Sequence, residues 1–134
     1  MNVTVGGKRT SVLFTVAVYA VLVVLGAMEG LIGSFQYGWM AGPVPVAALV
    51  CCAVLLATCL LAAWGLRSPS GAFAPAAGWL LAAFLMSVPV SGGSVIITNT
   101  TAGRWFLYGG TLSAVVAVAV SFWLWVRRAG TRAR

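Results

Sequence analysis

Few side chains in this sequence could carry chemistry. Glu29 is the single acidic residue, Lys8 the single lysine, and histidine is absent. One copy therefore cannot assemble paired carboxylates for acid/base work, a Ser-His-Asp triad, or a metal site built on His and carboxylate ligands. A Ser-Lys dyad would need Lys8, which sits in the N-terminal tail. The expectation is a protein that is not an enzyme and holds no metal and no cofactor. Cys51 and Cys52 are vicinal and Cys59 follows one heptad later, a set that in an accessible, polar setting could form a redox centre. All three fall in one apolar stretch, where a thiol is inert, and they read better as small buried hydrophobes.

Glu29 is the residue whose position needs a reason, since a charged group within an apolar run is costly and faces a partner or a water path. Counted from Thr10 along a helix it lies about 28 Å on, near the outer end of the first run. Arg104 enters the fourth run at that same level, so one reading is a Glu29–Arg104 pair at the outer rim, contributing about 0 to 1 kcal/mol if exposed. The other makes Glu29 a proton- or cation-coupling carboxylate in a small oligomeric transporter. Size and helix count resemble the four-helix multidrug exporters, which act as dimers and carry one essential glutamate in the first helix. In that family the glutamate lies near mid-helix, and its aromatic and glycine pattern in the later spans is not found here.

The elements that must position these residues follow from composition. The chain has 134 residues, 62% hydrophobic and 7% charged, far from the roughly quarter-charged makeup of soluble domains. A spanning helix needs about 20 mostly apolar residues, which leaves room for four with short connections. The runs are 11–32, 44–66, 73–90 and 105–126. The second follows Pro43-Val44-Pro45, where proline is tolerated because first-turn amides lack a helical acceptor. The third is bracketed by Pro69 and Pro75 before it and by Pro89 and Gly92-Gly93 after it. The first is too long for the apolar region of a cleaved signal peptide and lacks a small-residue cleavage site.

Orientation follows from the cations, which are retained on the cytoplasmic side. Lys8, Arg9, Arg67, Arg127, Arg128, Arg132 and Arg134 fall on one side and Arg104 alone on the other. Trp39 and Trp105 mark the outer edge and Trp64, Trp123 and Trp125 the inner one, as indole rings at headgroup level do. Trp79 lies within a span and is expected to be a packed or lipid-facing ring. The net charge of +7 is placed at ends and connections rather than along a face, so no nucleic-acid partner is expected.

Between helices in lipid, close approach depends on small residues. The first run carries Gly26 and Gly30, extended by Gly33; the third stacks Ala74, Gly78 and Ala82; the second has Ala53 and Ala57; the fourth has Ser113, Ala117 and Ser121. These stripes serve either folding within the chain or pairing with another subunit.

Pro75-Ala76-Ala77-Gly78-Trp79-Leu80-Leu81 and Leu107-Tyr108-Gly109-Gly110 resemble a family of uncharacterised four-span actinobacterial membrane proteins. The similarity in layout covers most of the chain and implies no catalytic residues. Family members carry an acidic residue after the third span, where this chain reads Ser91-Gly92-Gly93-Ser94.

The expected architecture is thus all-α: one domain, a four-helix transmembrane bundle in the cell membrane with both termini cytoplasmic. Its partners are the lipid bilayer and either another membrane protein or further copies of itself. The leading functional expectation is a non-enzymatic accessory or assembly subunit, with the Glu29 transporter as the alternative.

Overall fold

A computed structural model describes residues 3–89, 92–93, 97 and 99–132, with side chains from residue 7 onward. It contains four helices: α1 Val3–Gln36, α2 Val46–Leu66, α3 Ser70–Ser87 and α4 Thr101–Arg132. Each is long and apolar enough to cross a membrane. Val90, Ser91, Ser94 and Arg134, which enter the sequence reading, lie outside the described residues.

The helices outrun the apolar windows at both ends of α1, both ends of α4 and the start of α3, because a helix continues wherever backbone geometry allows and does not stop where hydropathy falls. α1 and α4 reach 34 and 32 residues. α3 begins at Ser70, three residues before the run 73–90, and Pro75 lies inside it. A proline in the second turn forgoes one backbone bond without ending the helix. α3 also ends earlier. Val88 is extended at φ −81°, ψ 132°, the conformation imposed on a residue that precedes proline, here Pro89. Between α1 and α2 the chain reverses at Ala41–Val44, whose amides and carbonyls bond reciprocally, with Gly42 at φ +63° supplying the left-handed residue.

α1 packs mainly along α3 and α2 mainly along α4, while α2 and α3 join the two pairs. The α1–α3 contact is the closest. A Cβ at Gly26 would overlap the backbone carbonyl of Pro75, and one at Gly78 would overlap that of Val23. At Gly30 it would meet Ala82 Cβ at 2.9 Å and the Trp79 carbonyl at 3.0 Å. The structure therefore brings Gly26, Gly30, Gly78 and Ala82 into one seam, with Ala74 buried beside them.

Trp79 fills the centre of the bundle. It is 2% exposed, its ring lies 5.3 Å from that of Phe106, and its indole covers Gly110 of α4. On α2 the buried face is Ala48, Cys52, Leu55, Cys59 and Ala63, whereas Ala53 and Ala57 are exposed. The small residues that let α2 approach its neighbours thus include two of the cysteines rather than the alanine stripe. On α4, Ala117 and Ser121 are buried and Ser113 half-buried.

At its start α1 runs past the α2–α3 turn, as the last turns of α4 do at the same end. Tyr19 hydrogen-bonds through its hydroxyl to Ser70, the first residue of α3, and Ser70 in turn bonds Ser68 at 2.7 Å. From Val3 to Tyr19 is about 24 Å of helix at 1.5 Å per residue, and residues 7–17 are exposed throughout.

Candidate functional site

Glu29 leaves α1 three residues beyond the Gly26–Pro75 contact and one before Gly30, so the helix that carries it is held tightly against α3. Its carboxylate points to α2. Thr58 Oγ1 donates a hydrogen bond to Glu29 Oε1 at 2.5 Å. Glu29 Oε2 is buried and has no hydrogen-bond partner among the described residues. Cys51 lies two turns before Thr58 on the same face of α2, and Cys59 follows Thr58 on the buried face.

The depth of this pair follows from α2. Thr58 lies about 18 Å from Val46 and about 12 Å from Leu66 at 1.5 Å per residue. The carboxylate is therefore near the middle of the bundle and not at its outer rim, where the count from Thr10 put it. The count fails because it starts at the tip of an overhang: the first turns of α1 run past the ends of the helices that define the layer.

The expected Glu29–Arg104 pair is not formed. Arg104 is exposed at the start of α4, where it borders a shallow recess with Trp105 and Tyr108. Glu29 Oε1 is taken by Thr58 of α2 and Oε2 has no hydrogen-bond partner among the described residues, while α1 meets the start of α4 through Gly33 and Tyr37 on the Phe106 ring. The partner that sequence reasoning missed is Thr58. It carried a signal, since it is the only hydroxyl-bearing residue in the run 44–66.

The cysteines are free, with Cys59 and Cys52 buried and Cys51 half-buried. The Cys52 thiol points to the Trp105 carbonyl at 3.9 Å. Among the described residues no three His, Cys, Asp or Glu side chains converge as metal ligands. The arrangement is a lone carboxyl group in an apolar layer, with one oxygen held by a hydroxyl and the other buried without a hydrogen-bond partner among the described residues.

The chain belongs to a family of unknown function, DUF6113, whose model matches residues 6–133. No curated protein and no solved structure matches it.

Proposed function

We propose that this is a small multi-pass protein of the cell membrane, with both termini cytoplasmic, that couples proton or monovalent-cation movement to transport through Glu29. The observation that carries the reading is the buried, unpartnered Oε2 at mid-depth. An unpaired charge in an apolar interior is expensive, and intramembrane carboxyl groups mark ion paths for that reason. Glu29 as a residue is half-buried, with its carboxylate turned to Thr58 of α2. Thr58 supplies the orienting hydrogen bond.

The test is the full chain in proteoliposomes holding a pH-sensitive dye or, in parallel, a sodium-sensitive dye, under an imposed potential. Wild type should pass protons or sodium faster than empty vesicles, and Glu29→Gln should lose that flux while keeping its elution profile and helix content. Unchanged flux in Glu29→Gln would overturn the proposal.

A second reading, an accessory or assembly subunit, is favoured by the α1 overhang. Val12, Leu13, Phe14 and Val16 are 60–72% exposed on turns that no other helix of the chain covers. A photocrosslinker at Phe14 in native membranes should give a discrete protein adduct under this reading. Adducts to lipid alone would exclude it.

A further inference from the structure

The end of the bundle that carries most of the cations has a cleft of about 300 Å³ between the last turns of α2, the α2–α3 turn and α4. Arg67, Ser68 and Arg128 form its polar mouth, Trp64 and Trp125 flank it, and Leu60 and Val120 line its floor. Neither guanidinium makes an ion pair among the described residues. The chain holds one acidic side chain, Glu29, and that is engaged by Thr58 at mid-bundle. The counter-charge for this arginine pair must come from outside the chain's own side chains.

The backbone adds a second indication. Arg67 caps α2 at φ 50°, ψ 31°, in the left-handed region where helices commonly place glycine, and its amide closes the helix on Ala63 and Trp64. A non-glycine residue there costs roughly 1–2 kcal/mol, so an arginine is held at the cleft mouth against local preference. Arg127, by contrast, turns away and stacks on Trp123, with its Cζ 4.1 Å from the ring centroid.

We infer that this cleft binds one anionic glycerophospholipid, with its phosphate on Arg67, Arg128 and the Ser68 hydroxyl and an acyl chain along the Leu60–Val120 floor. Arginine forks match phosphate oxygens bidentately. Tryptophans on both sides suit the boundary between headgroups and acyl chains. Charge at the mouth over an apolar floor is the pattern of a lipid and not of a free anion. The inference rests on the helices crossing a bilayer and is independent of the role proposed for Glu29.

Native mass spectrometry of the full chain in mild detergent tests it, titrating phosphatidylglycerol against phosphatidylcholine. Wild type should retain phosphatidylglycerol preferentially. Arg67→Gln with Arg128→Gln should weaken that binding by about tenfold or more, while Arg127→Gln with Arg132→Gln, which removes the same charge outside the cleft, should leave it unchanged. Val120→Trp, which fills the floor without touching a charge, should weaken it as well and guards against misfolding of the arginine variant. Equal losses from the two arginine pairs would mean diffuse surface attraction and overturn the site. Full competition by inorganic phosphate would mean a soluble-anion site and overturn the lipid.

Discussion

Glu29 and Thr58 sit on different helices, and the bond between them concerns only one of the two carboxylate oxygens. Taking away the hydroxyl while leaving the carboxylate exposes the asymmetry of buried hydrogen bonds: an orphaned group costs about 1–3 kcal/mol, whereas removing both partners is close to neutral. Thr58→Val should therefore destabilise the bundle by about 1–3 kcal/mol, and adding Glu29→Met should restore most of the loss, as read from unfolding in mixed micelles. A cycle of Glu29→Gln with Arg104→Ala should be additive within about 0.5 kcal/mol, because the two side chains share no contact. Glu29 was legible in the sequence as the single acid, and Thr58 stood out as the one hydroxyl of its run. Their pairing was not, since it depends on how far α1 is displaced along its axis relative to α2, and no local pattern encodes an offset between helices.

Among the helices, the α1–α3 seam is set by two glycines whose missing side chains are replaced by backbone of the opposite helix. Gly26 and Gly78 each face a carbonyl oxygen that cannot move aside as a flexible side chain would. Gly78→Ala should cost at least about 1–3 kcal/mol as an overpacking change. Gly65→Ala, in α2 with nothing within 4 Å of the added Cβ, should be neutral or stabilising by up to about 1 kcal/mol. Thermal denaturation of the two variants in one detergent compares them directly, and similar losses would show that the seam is not the reason for glycine. The small-residue spacing pointed to these positions, yet the same spacing at Ala53 and Ala57 marks an exposed face. Spacing identifies a stripe through which a helix can approach a neighbour; it does not say whether a neighbour is there. Helix existence was readable from hydropathy alone. The ends were not, because Pro75 is absorbed into α3 and Val88 is turned out by the proline after it.

Across the whole molecule, charge is sorted by the fold. The Tyr19–Ser70 bond ties the stem of α1 to the start of α3, and the shared cleft puts Arg67 beside Arg128, so Lys8, Arg9, Arg67, Arg127, Arg128 and Arg132 gather at one end and Arg104 stands at the other. An even number of crossings follows if all four helices span, and both described chain ends then share a side. Cations near span ends are retained in the cytoplasm, so we expect the six-cation end to face inward. A reporter active only in the periplasm should stay silent when fused after Arg132. In a variant with Cys51, Cys52 and Cys59 replaced by alanine, a cysteine at Gly92 should react with an impermeant maleimide from outside, and one at Ser68 only after the membrane is opened. Because α1 carries about 24 Å of helix before Tyr19, its tip does not report the same depth as the other helices, and a label at Gly7 is the weaker probe. Reporter activity after Arg132 together with labelling at Ser68 from outside would invert the orientation. Activity after Arg132 with Gly92 also labelled from outside would mean that α4 does not cross.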